Sequence, residues 1–119
     1  MMKFPEDFEL LDFFGSEPIE CEPQDGLFAY RFADQNGVTL VFSFHWIQAS
    51  IQAQLLVNGT EIAVFCQEGA KRLSIENDAV GQYLCGYFEI DSTFVDAQIR
   101  VSPHISVKWS TLLDYSSSD

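Results

Sequence analysis

Cysteine and histidine are the side chains with which this sequence could carry out nucleophilic or metal chemistry. The chain has three cysteines, Cys21, Cys66 and Cys85, and two histidines, His45 and His104. A cysteine beside a histidine could act as a nucleophile, and three or four such residues together could bind zinc. The histidines lie far apart in the sequence and no CxxC spacing occurs. We therefore interpret Cys66 and Cys85, which fall inside predicted strands, as buried and inert thiols.

Paired carboxylates are the other possible catalytic groups, with Glu89, Asp91 and Asp96 the nearest candidates. Hairpin turns collect acidic residues for their own hydrogen-bonding reasons, so this group does not indicate acid–base catalysis. The sequence also lacks the glycine-rich phosphate loops, the GxSxG nucleophile motif and an EF-hand loop. We predict that the protein is not an enzyme and has no metal site and no cofactor.

Net charge restricts the kind of partner. The chain has 119 residues, with 18 acidic and six basic side chains and a formal net charge of −12. Such a charge argues against nucleic acid or an anionic membrane as the partner and favours a basic protein or a cation. The alternative is that the acidity only keeps the protein in solution.

Length and cysteine usage indicate one domain, residues 1–119, in a reducing compartment. Three cysteines are an odd number, which suits free thiols better than a disulfide framework. No secretion signal and no apolar run of membrane-spanning length is apparent. We predict a cytoplasmic protein.

Alternation of apolar and polar residues predicts the strands. In VTLVFSFHW, Val38, Leu40, Phe42, Phe44 and Trp46 share one face of a strand. The dipeptide Asn58-Gly59 predicts a type I′ hairpin, because both residues of that turn take positive φ. Eight strands are predicted in total: 27–33, 38–46, 47–57, 60–67, 72–76, 83–90, 94–101 and 105–111.

Short turns between consecutive strands predict an antiparallel meander. The fold class is therefore mainly β (α+β), with about eight strands forming a curved sheet or a sandwich. Gly86 inside the sixth strand predicts a bulge or a close approach. Ser116 to Asp119 are expected to fray.

One short helix is predicted before the strands, over residues 5–14 (PEDFELLDFF). Pro5 suits the first helical position, and Gly15 suits the end of the helix. Phe4, Phe8, Leu11 and Phe14 are spaced to form one apolar stripe that would lie on the sheet.

Acidic residues are concentrated near the start of the chain. Residues 1–26 carry eight acidic side chains and one basic one. Their net negative charge is more than half of the net charge of −12 of the whole chain. Residues 16–26 (SEPIECEPQDG) are predicted to form an acidic loop, either an ordinary solvated surface or a patch that docks on a cationic partner. A second unusual surface is the uncharged row Gln48, Ser50, Gln52 and Gln54, which suits either a protein interface or a half-buried sheet face.

The helix ending in LLDFFGSEP, followed by a β meander with ADQNG and VNGTEI turns, resembles the small immunity proteins of bacterial polymorphic toxin systems. The resemblance lies in architecture and composition. It implies tight binding to a cognate toxin domain, with occlusion of the toxin's active site. A basic toxin would suit the acidic loop, which would accelerate encounter.

The residues predicted to bind that partner are Glu17, Glu20, Glu22 and Asp25, with Trp46 as an aromatic anchor. The alternative function is a regulatory β domain that binds a small ligand, with a pocket ringed by Tyr30, Tyr83 and Tyr87. Oligomeric state is not indicated by the sequence.

Overall fold

Two antiparallel sheets and one helix make up residues 2–113, the part of the chain that the computed structural model describes. The first sheet has five strands: β1 (Glu20–Glu22), β2 (Leu27–Ala33), β3 (Val38–His45), β4 (Ser50–Val57) and β5 (Thr60–Glu68). The second has four: β6 (Ala70–Asn77), β7 (Gln82–Ile90), β8 (Thr93–Arg100) and β9 (Ser106–Leu113). Consecutive strands are neighbours in both sheets, which confirms the predicted meander. The predicted fraying of Ser116 to Asp119 lies outside the described residues.

The two sheets face each other across one shared hydrophobic core. The largest fully buried side chains come from both sheets and the helix: Tyr30, Phe42, Phe44, Phe88, Leu10, Leu40, Ile51, Leu84 and Ile99. At one side of the core, the rings of Phe65 on β5 and Trp109 on β9 stack with centroids 5.5 Å apart. The sandwich alternative is thus the one adopted, and the inward-facing residues predicted from alternation supply its core.

Gly86 marks a close approach of the two sheets, which is one of the two alternatives that the sequence predicted. A Cβ atom on Gly86 in β7 would lie 2.9 Å from Cδ1 of Ile51 in β4. Real Cβ atoms do not come so close to a carbon atom, so the missing side chain is what allows β4 and β7 to pack face to face.

The hairpin turns follow the predicted chemistry. Asn58 and Gly59 have φ of 49° and 84°, as a type I′ turn requires, and they join the paired residues Val57 and Thr60. The predicted strands 38–46 and 47–57 are joined by a four-residue turn over residues 46–49, which ends at Ala49 with a φ of 54°. As a result β4 starts at Ser50 rather than at residue 47, and Ile47 is exposed.

β1 was not predicted. The acidic segment around Cys21 forms three residues of antiparallel ladder with β2, pairing Glu20 with Ala29 and Glu22 with Leu27. All three residues of β1 are exposed, so burial alternation gives no signal for this strand. Backbone pairing with a strong neighbouring strand is sufficient to order it.

The helix α1 (Asp7–Phe14) starts two residues later than predicted and presents a different face to the core. Its first turn is stabilised where the Glu6 N–H donates to the carboxylate of Glu9 at 3.0 Å. Gly15 ends the helix as predicted, with a φ of 73° and its N–H donating to Leu11 O at 2.7 Å.

The predicted apolar stripe of α1 is wrong in three of its four members. The buried residues are Leu10, Phe13 and Phe14, whereas Phe4, Phe8 and Leu11 remain exposed. Both stripes have helical spacing and share Phe14, whose ring stacks on Tyr30 with centroids 4.7 Å apart, and they differ in that Leu10 and Phe13 are the residues that enter the core. Phe4 precedes the helix and packs instead on Phe44, at 5.5 Å between centroids.

We expect Gly86→Val to destabilise the protein by about 1 to 3 kcal/mol, because the new side chain enters space that Ile51 already occupies. Ile51→Val alone should cost about 0.5–1.5 kcal/mol. The double variant should lose less than the sum of the two, since Ile51→Val removes the atom that the new side chain meets. Urea denaturation of the four proteins measures these losses, and strictly additive losses would contradict the contact.

Candidate functional site

The predicted partner-binding residues are brought to one edge of the first sheet, but they do not share one face. Glu17, Glu20, Glu22 and Asp25 are all exposed. Side chains alternate along a strand, so Glu20 and Glu22 point to the side of β1 opposite to Cys21. Cys21 and Glu17 line the same groove beside α1. β1 thus separates Glu17 from the other two glutamates.

Trp46 lies near this edge but is only partly available. The backbone N–H of Trp46 donates to the backbone oxygen of Gly26 at 3.0 Å, and this hydrogen bond joins the turn after β3 to the turn that holds Asp25. The indole ring is half-buried and stacks on Phe4, with centroids 5.8 Å apart. The contact gives Trp46 a packing role in the cluster of Phe4, Phe28 and Phe44.

The early carboxylates have no internal cationic partners. In residues 2–113, the ion pair that forms is the one between Arg100 and Asp78, on the second sheet's side of the molecule. Residues 4–25 contain no lysine or arginine, and they hold all eight of the early acidic side chains. Their negative charge therefore faces solvent uncompensated.

A surface that sequence analysis missed is the outward side of α1, which we call the helix ridge: Phe8 and Leu11. Phe8 is 70% exposed and Leu11 is 39% exposed. On one side of the ridge, Glu9, Asp12, Ile75 and Gln82 complete a groove of about 440 Å³. The other side is a groove of about 320 Å³, here named the β1 groove, lined by Asp7, Phe8, Leu11, Glu17, Pro18, Cys21, Phe28 and Tyr30.

The helix ridge combines two features of protein-binding surfaces. Exposed aromatic and aliphatic side chains supply area that a partner can bury, and the surrounding carboxylates supply a polar rim. Within residues 2–113, the side chains lining the two grooves include four carboxylates and no lysine or arginine. The surface is therefore apolar at its centre and negative at its border.

The outer face of the first sheet is a second exposed surface with little charge. Gln52 pairs with Ser43 and Cys66 across the ladders, and Gln54 pairs with Val41 and Val64. Cys66 is exposed there, so its expected burial is wrong: it points away from the core because its neighbour Phe65 points inward. The predicted row of Gln48, Ser50, Gln52 and Gln54 loses Gln48, which lies in the turn before β4.

Cys85 on the outer face of the second sheet is held as a thiol. Its Sγ donates to the Oδ1 atom of Asp96 at 3.1 Å. Burial first, and then the hydrogen bond and negative charge of Asp96, raise the pKa of Cys85 to about 12. A nucleophilic cysteine needs a lowered pKa, so this environment is the reverse of a catalytic one.

The three tyrosines do not ring one pocket. Tyr30 is buried beneath α1. Tyr83 and Tyr87 lie on the outer face of the second sheet, where Arg100 and Arg72 lie 4.7 Å and 4.6 Å from the respective ring centres. The arrangement that would favour a small-ligand site is therefore not formed.

Residues 2–113 contain no cluster of three or more His, Cys, Asp or Glu side chains placed to share a metal ion. No helix within these residues combines the length and apolarity needed to cross a bilayer.

Fold and surface together define a small antiparallel β sandwich with an acidic, partly apolar surface beside its helix. A chain in the solved contact-dependent growth inhibition toxin–immunity protein complex from Klebsiella pneumoniae 342 is similar over almost its whole length. The two chains are 30% identical with a TM-score of 0.89, covering 93% of this chain and 97% of that one. No protein-family model and no curated protein matches the sequence. This chain belongs to the immunity proteins of toxin systems.

We expect the three cysteines to differ sharply in reactivity. At pH 8 a thiol with a pKa near 12 is ionised to about one part in ten thousand, so Cys85 should react far more slowly than exposed Cys21 and Cys66. Iodoacetamide labelling followed by peptide mass spectrometry measures the three rates. Asp96→Asn should speed labelling of Cys85, because it removes a negative charge beside the thiol. Equal rates in the folded wild-type protein would contradict this environment.

Proposed function

We propose that this immunity protein binds the toxin domain of its own system and neutralises it by covering the toxin's active site. The similar Klebsiella pneumoniae 342 structure is a complex of toxin and immunity protein, which supports a toxin as partner. The protein acts in this proposal as a stoichiometric inhibitor without catalysis. The raised pKa of Cys85 is in keeping with that role.

The partner's binding surface is proposed to be basic. The observation that carries this step is the unpaired charge of residues 4–25: eight carboxylates, no lysine or arginine, and no ion pair to another described residue. Opposite charge on the toxin would steer the encounter and favour this edge of the molecule over others. Glu17, Glu20, Glu22, Asp25 and Trp46 remain the proposed contacts, with Trp46 contributing the edge of a packed aromatic cluster.

Active-site occlusion follows if the toxin's basic surface is also where its substrate binds. Toxins that act on nucleic acids use cationic surfaces to hold phosphates, and a row of carboxylates would occupy the same surface. Inhibition by this route requires that the immunity protein and a polyanion compete for the toxin.

Reversing three of the early carboxylates tests the charge step. In the triple variant Glu20→Lys, Glu22→Lys and Asp25→Lys, we expect the association rate for the purified toxin domain to fall about tenfold or more at low salt. The salt dependence of that rate should also flatten, because the steering charge is gone. Surface plasmon resonance over a salt series measures both.

The matched control carries the same charge change elsewhere. Glu61→Lys, Glu76→Lys and Glu89→Lys alter exposed residues of β5, β6 and β7 by the same total charge. If both triple variants slow association equally, net charge alone is responsible and the early edge has no special role.

Occlusion is tested with heparin as a polyanionic probe. We expect saturating immunity protein to release the toxin domain from a heparin column, because both occupy the same cationic surface. A stable ternary complex of toxin, immunity protein and heparin would argue against occlusion.

A further inference from the structure

The helix ridge is exposed without a structural need. Leu10, Phe13 and Phe14 already supply the face of α1 that the core requires. Phe8 is nevertheless the most exposed of the large apolar side chains in residues 2–111, at 70%. Phe8 lies beside Leu11 and lines both grooves with it, and a contiguous exposed apolar surface with a polar rim suits contact with a partner.

The β1 groove beside the ridge has an apolar floor and acidic walls. Phe28 and Tyr30 form the buried floor, and Phe8 and Leu11 form one wall. Asp7 and Glu17 stand at the sides. Burial chiefly, then the negative charge of Asp7 and, more weakly, of Glu17, raises the pKa of Tyr30 to about 12. The negative charges of Asp7 and Glu17 therefore act on the Tyr30 side chain at the floor of the groove.

This combination selects one kind of side chain. A groove with apolar walls suits a long methylene stem, and two carboxylates at its sides suit a cationic head. Arginine fits better than lysine, because its guanidinium is planar, stacks on aromatic rings, loses less hydration and pairs with carboxylates in a fork. A purely apolar side chain would leave Asp7 and Glu17 facing a desolvated interface without partners.

We propose that the toxin inserts an arginine into the β1 groove, with its stem on Phe8 and Leu11 and its guanidinium between Asp7 and Glu17. The proposal rests on the proposed function, since it takes the toxin as partner, and it adds the contact that holds the complex together. Glu20, Glu22 and Asp25 lie outside this groove and act on encounter, whereas the β1 groove sets the dissociation rate.

Cys21 provides a reporter inside the groove, and Cys66 provides the control. Both thiols are exposed, but Cys66 lies on the outer face of the first sheet. With saturating toxin domain, we expect iodoacetamide labelling of Cys21 to slow at least about tenfold while labelling of Cys66 stays within about twofold. Protection of Cys66 but not of Cys21 would move the interface to the sheet face and overturn the proposal.

Substitutions in the groove test its contribution to affinity. Phe8→Ala should weaken toxin binding at least about thirtyfold through faster dissociation, as expected of an interface hot spot. Glu17→Gln, which keeps the shape and removes the charge, should weaken it about tenfold. Ile62→Ala is the matched control, since Ile62 is 60% exposed on β5, and it should change affinity less than about twofold.

The toxin side of the pair is found by a double-mutant cycle. Each surface arginine of the toxin domain is changed to alanine in turn and measured against wild type and Glu17→Gln. One arginine should lose most of its effect when Glu17→Gln is present. Additive effects for every arginine would overturn the proposal.

The measurements separate absence of the arginine contact from absence of toxin binding as a whole. If wild-type protein does not bind the toxin domain, both fail. If wild type binds and the early charge reversal slows association, but Phe8→Ala and Glu17→Gln bind as wild type, only the arginine contact fails. Unchanged thermal melting of Phe8→Ala and Glu17→Gln, expected for exposed residues, assigns any loss of affinity to the interface.

Discussion

The packing of α1 against the two sheets is the constraint on which the rest of the structure depends. The helix has five apolar residues among its eight, but a helix lying on a sandwich can bury only one stripe of them. The stripe that enters the core is Leu10, Phe13 and Phe14, and the Phe14 ring stacks there on Tyr30. Phe8 and Leu11 are then forced outward, beside the acidic segment that follows the helix. The apolar centre of the candidate surface is thus a consequence of how the core closes.

The strands of the first sheet fix the position of the β1 groove. Tyr30 belongs to the core and also forms the floor of the β1 groove, so the groove has a rigid base. β1 contributes Cys21 to the lining of the groove and is anchored through its pairing with β2. Hydrogen bonds from β1 to β2 therefore decide the position of Cys21 and, through the preceding chain, of Glu17. A site built on paired strands and a capped helix is better fixed than one on a free loop.

Much of the fold could be predicted because alternation reports directly which residues face inward. The limits of β2 were predicted correctly, the Asn58-Gly59 turn follows from its dihedral requirements, and Gly86 lies at a close approach of the two sheets. The choice between one curved sheet and a sandwich was not predictable, since alternation identifies a buried face but not the element that covers it. β1 was missed because all its residues are exposed and its order comes from backbone pairing.

Of the candidate site, only the concentration of negative charge was predicted from the sequence. Composition located the acidic edge, but two apolar stripes of α1 that share Phe14 have equally good helical spacing, and only the tertiary packing of Leu10 and Phe13 decides between them. The predicted residues also fall on two sides of β1, because a strand turns alternate side chains in opposite directions. Glu17, which precedes β1, lines the β1 groove with Cys21, whereas Glu20 and Glu22 point to the opposite side of β1, and the number of charges in the sequence does not predict this division.

The exposed carboxylates and the exposed apolar side chains of this surface contribute to binding in different ways. Exposed carboxylates act over about a Debye length and raise the rate of encounter, but each contributes little once the partner is bound in water. Apolar side chains act only in contact, where exclusion of water makes them strong and also strengthens any ion pair they enclose. Asp7 and Glu17 are the carboxylates that border the β1 groove, so they are the ones a partner can desolvate. Selectivity for one toxin would then reside in these two residues and the ridge between them, because a wrong partner would bury their charges without pairing them.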